Sequence, residues 1–349
     1  MKQRVGLVGV TGYTGMELVR LLMDHPHFQL VCVTSRKEAG KPLASVYPFL
    51  HGTRFSQLPV SAPDSALLAA QCDLVFLAVP HGTAMEMAAD LYARGMRVVD
   101  LSADFRLRSQ TVYERWYGLS HTQAHLLPTA VYGLPELYAE QIATARLVAN
   151  PGCYPTSAIL ALYPALRERL INPEGIILDS KSGTSGAGRK ASVGTLFCEV
   201  SDTFRAYNLT THRHTPEIEQ EFGSIAGQEI CLSFSTHLLP MNRGILTTAY
   251  AQLSPGITEE HIRTAYEAAY ANAPWVRVLP QGILPETRWV RGTNFCDLGL
   301  VVDTRAHRLI VISVIDNLCR GASGQAVVNA NLMFGHAPAA GLSTAPLMP

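Results

Sequence analysis

Val5-Gly6-Leu7-Val8-Gly9-Val10-Thr11-Gly12-Tyr13-Thr14-Gly15 decides the fold of the first half of the chain. Val5 to Val10 reads as a buried strand, and Met16, Leu18, Val19, Leu21, Leu22 and Met23 then recur at helical spacing. Glycines between a strand and a helix permit a tight turn and close backbone approach, so the helix N-terminus can face a pyrophosphate. The spacing is GxxGxxG rather than GxGxxG, and its place between a first strand and a first helix carries the reading. Gly9, Thr11, Gly12, Tyr13, Thr14 and Gly15 are therefore candidate cofactor contacts at the start of a doubly wound parallel sheet.

His25-Pro26-His27 ends this helix, and Phe28 to Thr34 reads as the second strand. In nicotinamide-binding folds an acidic residue often follows that strand and holds the ribose hydroxyls. Here Ser35-Arg36-Lys37 stands instead, and a hydroxyl with two cations suits a 2′-phosphate, so Ser35 and Arg36 point to NADP over NAD. The other reading is a solvated basic loop. Leu74 to Val79 is a further apolar strand running into Pro80-His81-Gly82 and a helix to about Arg94. Arg97 to Leu101 is the next strand and delivers Ser102-Ala103-Asp104-Phe105-Arg106, at the strand end where open sheets bind ligands. Arg106 is either an anion ligand or the partner of Asp104 in a structural ion pair.

Asn150-Pro151-Gly152-Cys153-Tyr154-Pro155-Thr156 follows the apolar run Leu147-Val148-Ala149 and leads into Ser157 to Tyr163 and Leu166 at helical spacing. This puts the Cys153 thiol on a turn at a helix N-terminus, where unpaired N–H groups and the helix dipole favour a thiolate. A buried structural cysteine is the alternative. Ile176 to Lys181 then reads as a strand, followed by Ser182-Gly183-Thr184-Ser185-Gly186-Ala187-Gly188-Arg189-Lys190. Backbone N–H groups and hydroxyls exposed by so many small residues suit an oxyanion or nicotinamide site; the segment reads equally as a flexible loop.

His212 and His214, in Thr211-His212-Arg213-His214-Thr215-Pro216-Glu217, can exchange protons near neutral pH, as chemistry at a thiol requires. Thr215 and Pro216 read as the N-cap and first residue of a helix, with Glu217 favourable in its first turn. Strands are expected over Ile230 to His237, Ile245 to Leu253, Phe295 to Asp303 and Leu309 to Ile315, with a helix from about Glu259 to Ala271. This is an α+β domain with a large, mostly antiparallel sheet, one face of which suits a partner subunit. Asp316-Asn317-Leu318-Cys319-Arg320-Gly321-Ala322 opens a last helix, Ser323 to Phe334, that returns to the first domain.

The 349 residues allow two domains, and a formal net charge of zero with 16% charged residues offers no basic field for nucleic acid. No membrane span is read, and Met1-Lys2-Gln3-Arg4 runs into a core strand, so no signal peptide is expected. Seven scattered cysteines without a CxxC pair fit reduced thiols in the cytoplasm, and no spacing typical of a metal site appears.

Together, Gly9 to Gly15, Ser102 to Leu107, Asn150 to Thr156, Ser182 to Arg189, His212 to Ile218 and Asp316 to Ala322 resemble the motifs of the N-acetyl-gamma-glutamyl-phosphate reductase family, related to aspartate-semialdehyde dehydrogenase. The resemblance covers essentially the whole chain. It implies a Rossmann-like NADP-binding domain over 1–152, completed by a C-terminal helix over 317–349, and a catalytic and dimerisation domain over 153–316. It implies NADPH-dependent reduction of N-acetyl-L-glutamyl 5-phosphate in arginine biosynthesis by a homo-oligomer, dimer or tetramer. Cys153 then looks like the nucleophile, His212 the acid/base residue with His214 second, and Arg106 a phosphate ligand with Ser182 and Arg189 beside the substrate. Asn317, Gly186, Ala187 and Gly188 look like contacts of the nicotinamide region. Pro240 to Gly244 departs from the aspartate-semialdehyde dehydrogenase pattern, while Tyr154-Pro155 and Gly186 to Arg189 set the chain apart from reductases of carrier-bound aminoadipyl phosphate. Rival readings are the aspartyl or aminoadipyl substrates, an NADPH-sensing thiol protein, and a cysteine hydrolase of acyl compounds.

Overall fold

The computed structural model describes residues 1–348, in two units. Met1–Pro151 with Ala322–Leu342 forms the first, and Gly152–Gly321 with the residues from Ser343 on forms the second.

The first unit is built on β1 (Gln3–Val8), β2 (Phe28–Thr34), β3 (Val60–Ser61), β4 (Leu74–Leu77), β5 (Arg97–Asp100), β6 (Val131–Tyr132) and β7 (Leu147–Ala149). They form one seven-stranded sheet, ordered β3-β2-β1-β4-β5-β7-β6, in which every pairing is parallel. A parallel sheet is covered on both faces, which is why its strands read as continuous apolar runs. Val5, Leu7, Leu74, Val75, Phe76, Leu77, Val98, Val99, Leu147 and Val148 are all fully buried. The winding reverses between β1 and β4, and such a switch opens a crevice at the strands' C-terminal ends.

Helix Gly324–Met333 closes this unit against helices Tyr13–Leu22 and Pro135–Thr144. Gln325 Nε2 and Asn329 Nδ2 donate to the Gly133 carbonyl at 2.7 and 2.9 Å. Only Ala322–Leu342 returns here; residues 317–321 and those from Ser343 on group with the second unit.

The second unit contains β8 (Ile177–Gly183), β9 (Arg205–Tyr207), β10 (Ser233–Leu239), β11 (Ile245–Gln252), β12 (Val276–Val278), β13 (Cys296–Asp303) and β14 (Arg308–Ile315). Their order is β12-β13-β14-β11-β8-β10-β9, with β8/β10 and β12/β13 parallel and the other pairs antiparallel. Helix Cys153–Arg167 lies on β11 and β14 and is covered by helices Thr215–Ala226 and Glu259–Tyr270. It is therefore buried nearly all round. Tyr266 and Tyr270 hydroxyls donate to the Ala161 and Leu160 carbonyls, each at 2.6 Å. On the sheet side, Ser157 Oγ lies 3.0 Å from both Thr247 Oγ1 and Ser313 Oγ, a buried polar rung that fixes the helix in register. Among the described residues, no helix is long and apolar enough to cross a membrane.

The C-terminal return carries a titratable contact. His25 is fully buried; its Nδ1 accepts the N–H groups of His27 and Phe28 at 3.2 and 3.0 Å, and its Nε2 faces the Ala340 carbonyl at 2.9 Å. The ring is thus held neutral with its proton on Nε2, and burial lowers its pKa to about 4. Because the folded value lies below the unfolded one, this group's stabilisation is complete above about pH 6.5 and is lost as the pH falls towards 4, a change of about 3 kcal/mol. Asp100 has the opposite sign: burial, then Asp104, raises it to about 7, so its stabilisation is lost as the pH rises from about 4 towards 7. Denaturant unfolding of wild type and His25→Asn from pH 7 to 4 should show the steeper acid loss in wild type; parallel curves would remove the assignment.

Candidate active site

In the first unit the glycine turn has two kinds of glycine. A Cβ on Gly9 (φ +88°) would stand 2.3 Å from the Ala78 carbonyl oxygen, and one on Gly15 would stand 2.4 Å from that of Gly9. These two are demanded by the chain's own packing. A Cβ on Gly12 would meet nothing closer than 3.8 Å, although Gly12 is the N-cap of helix Tyr13–Leu22 and no side chain caps that end. Uncapped N–H groups beside open space fit a phosphate. The turn is fastened to the end of β2, since the N–H groups of Gly9 and Val10 both donate to the Thr34 carbonyl at 3.1 Å, and the Tyr47 hydroxyl donates to Val10 O at 3.0 Å. Ser35 is buried directly after Thr34, and Arg36 is exposed. A dinucleotide therefore fits the groups present.

Arg106 is buried, with Nε donating to the Asn150 carbonyl at 2.7 Å and Nη2 to Leu101 O at 2.9 Å. Asp104 accepts instead from the N–H groups of Gly82 and Ala84 (2.7 and 3.1 Å) and from the Tyr113 hydroxyl at 2.8 Å. It thereby fixes the loop after β4 against the loop after β5.

In the second unit Cys153 is the first residue of its helix, after the N-cap Gly152, and is a half-buried thiol outside any disulfide. The Gly152 N–H donates to Glu217 Oε1 at 2.8 Å, so a buried carboxylate from the first turn of helix Thr215–Ala226 fixes the turn before the thiol. Gly321 packs on the other side; a Cβ there would stand 2.7 Å from Cys153 Cβ.

Tyr154 gathers the rest. Its ring meets those of His212, His214 and Phe234 edge-on at 5.3, 6.0 and 5.4 Å, and its hydroxyl lies 2.7 Å from that of Tyr207. His212 and His214 are 4.9 Å apart. His214 is the N-cap of its helix, in helical conformation and without a side-chain capping bond, and Thr215 is the first helical residue. The cap thus falls one residue before the expected Thr215, since the backbone turns helical ahead of Pro216.

The small-residue run is tied down, not a flexible loop, as far as Ser185. Gly183, Thr184 and Ser185 donate to the carbonyls of Gly244, Met241 and Asn242 at 2.9, 2.8 and 3.1 Å. Asn317 joins them: its Oδ1 accepts from Gly244 N at 2.8 Å and its Nδ2 donates to Ser185 Oγ at 3.0 Å. Gly186 sits over Ser182 Oγ and the Asn317 amide, while Ala187, Gly188 and Arg189 are exposed. Cys153, His212 and His214 are thus gathered around Tyr154 in the second unit, where Ser182, Gly186 and Asn317 form one cluster; Gly9 to Gly15, Ser35, Arg36 and Arg106 belong to the first. Glu217 and the tyrosine pair are additions. Glu217 is legible as a first-turn acid, but the approach of Tyr207 to Tyr154 has no local signal.

His212 departs from its expected state. Its Nδ1 accepts the His214 backbone N–H at 3.1 Å, so the neutral ring carries its proton on Nε2. Burial, followed by the charge of Arg213, lowers its pKa to about 4. At neutral pH this side chain is a hydrogen-bond donor rather than a reservoir of protons.

Family models described as semialdehyde dehydrogenase, NAD binding domain, and semialdehyde dehydrogenase, dimerisation domain, match residues 4–145 and 153–317. The structure of an aspartate semialdehyde dehydrogenase with NADP from Candida albicans has the same fold, with a TM-score of 0.70 at 16% identity over 96% of this chain and 99% of that one. Fold and domain matches define an oxidoreductase of the semialdehyde dehydrogenase class. Curated N-acetyl-gamma-glutamyl-phosphate reductases of Pelotomaculum thermopropionicum and Desulfotalea psychrophila are 52% and 51% identical, covering 100% and 99% of both chains. The chain belongs to the N-acetyl-gamma-glutamyl-phosphate reductase family.

A ring-nitrogen NMR titration tests the state of His212. Its signals, assigned with His212→Gln, should show a neutral Nε2–H ring from pH 8 to 5, with protonation only near pH 4. A midpoint between pH 6 and 7 would restore it as a proton carrier.

Proposed function

We propose that the chain reduces N-acetyl-L-glutamyl 5-phosphate to N-acetyl-L-glutamate 5-semialdehyde and phosphate, in arginine biosynthesis, with NADPH as cofactor. The observation that carries this is a thiol at the N-terminus of a buried helix whose first turn is fixed by Glu217 through Gly152 and whose next residue, Tyr154, packs against His212 and His214, in a chain that matches reductases of that name end to end. The helix N-terminus favours Cys153 as thiolate. The thiolate attacks the acyl carbonyl, and the tetrahedral oxyanion expels phosphate to leave a thioester on Cys153. Arg106, Ser182 and Arg189 are the residues proposed to bind the phosphate. Bound NADPH supplies the hydride that reduces the acyl group. The thiohemiacetal oxide then collapses, releasing the aldehyde and regenerating the thiolate. His212 donates from Nε2 to the oxygen on which charge develops, with His214 next to it for proton exchange.

Ser35 and Arg36 support NADP over NAD, and the Candida structure, which holds NADP, is in keeping with that. A homo-oligomer, dimer or tetramer, is supported by the dimerisation description of the second family model and by the exposed Val193, Leu196, Phe197 and Phe204 of the second unit. Seven cysteines outside disulfides fit a cytoplasmic setting.

The reaction is most easily tested in reverse, with NADP⁺ and phosphate, offering the semialdehydes of N-acetylglutamate, aspartate and aminoadipate. Phosphate-dependent NADPH formation with the acetylated glutamyl aldehyde alone is expected. Preference for another aldehyde would keep the chemistry and change the substrate; silence with all of them, in protein that binds NADPH, would leave a sensing role. Cys153→Ser should lose nearly all turnover while retaining NADPH binding, and appreciable residual activity would sink the covalent route. Arg36→Asp should lower the preference for NADPH over NADH about tenfold or more, the effect of losing one charge-assisted phosphate contact; an unchanged ratio would return Arg36 to a solvated loop.

A further inference from the structure

Tyr207 stands against Tyr154 and His212 without a role in the scheme above. It ends β9, an edge strand whose register against β10 sets Tyr207 opposite Thr236, and Thr236 Oγ1 donates to its carbonyl at 2.5 Å. Its ring meets His212 edge-on at 5.8 Å. Its hydroxyl is 2.7 Å from that of Tyr154, a residue only 3% exposed, whereas Tyr207 itself is half-buried. Of the pair, only Tyr207 can offer its hydroxyl to a bound molecule. When Tyr154 donates to Tyr207, the Tyr207 proton is left for the site and is polarised by the bond behind it.

We infer that Tyr207 is a further catalytic residue, its hydroxyl donating to the negative charge that develops at Cys153 and on the acyl oxygen bonded next to it. This rests on Cys153 being the nucleophile. Burial, opposed by the bond from Tyr154 and reinforced by charge on Cys153, pushes the Tyr207 phenol up to about 12, so it stays protonated throughout the working pH range. Tyr154 is raised too, by burial first and then by Tyr207, and charge on Cys153 is felt there as well. Both hydroxyls therefore lie within electrostatic reach of the sulfur. A donor held by a sheet edge and a second phenol needs little reorganisation as charge appears, the arrangement that makes oxyanion donors effective.

The test is Tyr207→Phe in the full-length enzyme, with Tyr154→Phe as the second variant. Cys153 alkylation by iodoacetamide is followed against pH, alongside kcat/KM in the aldehyde-oxidising direction and NADPH affinity. For Tyr207→Phe the alkylation midpoint should move up by about one pH unit and kcat/KM should fall roughly ten- to hundredfold, the loss of a hydrogen bond to a charged group. NADPH affinity should not change. Tyr154→Phe, which removes only the polarising bond, should shift both in the same direction by less. An alkylation profile and kcat/KM within about twofold of wild type in Tyr207→Phe would overturn the assignment while leaving Cys153 in place. Full activity after complete alkylation of Cys153 would instead remove the nucleophile itself, and Tyr207 with it.

Discussion

Everything around the thiol depends on helix Cys153–Arg167 being held from every side, with only Cys153 of its first turn left partly accessible. Its body is apolar, so burying Ile159, Leu160, Leu162 and Leu166 between sheet and helices drives it into place. Apolar contact alone does not fix rotation or register. Those are set by directional bonds, the Ser157 rung to Thr247 and Ser313 on one side and the Tyr266 and Tyr270 hydroxyls on the other. A slip of one residue would leave these buried hydroxyls without partners, a penalty of about 1–3 kcal/mol each. The N-terminus is then fixed by Glu217 through Gly152. The proposed nucleophile, on so constrained a helix, would lose little freedom on reacting.

The surroundings of Tyr154, next to Cys153 in the chain, combine a low-polarity wall with donors that stay neutral. Tyr154 and Phe234 supply the wall, and the rings of His212 and His214 pack edge-on against Tyr154. Such packing would disfavour an imidazolium at His212 even without the backbone N–H at Nδ1. With that N–H in place, a second ring proton would point at another donor. On the proposed mechanism, the charge that develops on the acyl oxygen is met on this side by dipoles, and Arg106 and Arg189 are left to the phosphate. Fixed dipoles stabilise the transient charge without holding the resting thiolate so tightly that its nucleophilicity is lost.

Much of this was legible in the sequence because it depends on short segments. Pro151-Gly152 before Cys153 and the helical spacing after it suffice to place a thiol at a helix start, and the apolar runs of the parallel sheet stand out because both faces are covered. The strands that escaped are β3 and β6, of two residues each, and β9 and β12, of three, too short for any periodicity to register. Missing β9 meant missing Tyr207, whose approach to Tyr154 is produced by strand pairing and has no trace in neighbouring residues. The state of His212 is hidden from local sequence for a related reason. Residue type implies a proton exchanger near neutrality, but a backbone N–H two residues on and the burial of the ring decide otherwise.

Buried carboxylates recur as the means of fixing loops in both units. Asp104 takes the N–H groups of Gly82 and Ala84, Glu217 that of Gly152, and Asp316 those of Gly292, Leu318 and Cys319 together with the Arg243 guanidinium. An uncompensated carboxylate at such depth would be strongly disfavoured, and its charge is tolerated because several N–H donors replace the water it has lost. The isosteric amide would not substitute. One of its two ends would present N–H to N–H, so Asp104→Asn would open the loop after β4 and Asp316→Asn would release Arg243. Asp100 marks the limit of the device: Ser102 N–H and Oγ donate to it at 2.9 and 2.7 Å, but burial, and then the charge of Asp104, raise its pKa to about 7. The number of N–H donors that a buried carboxylate collects thus decides how firmly it holds a loop, while burial and a neighbouring charge raise Asp100.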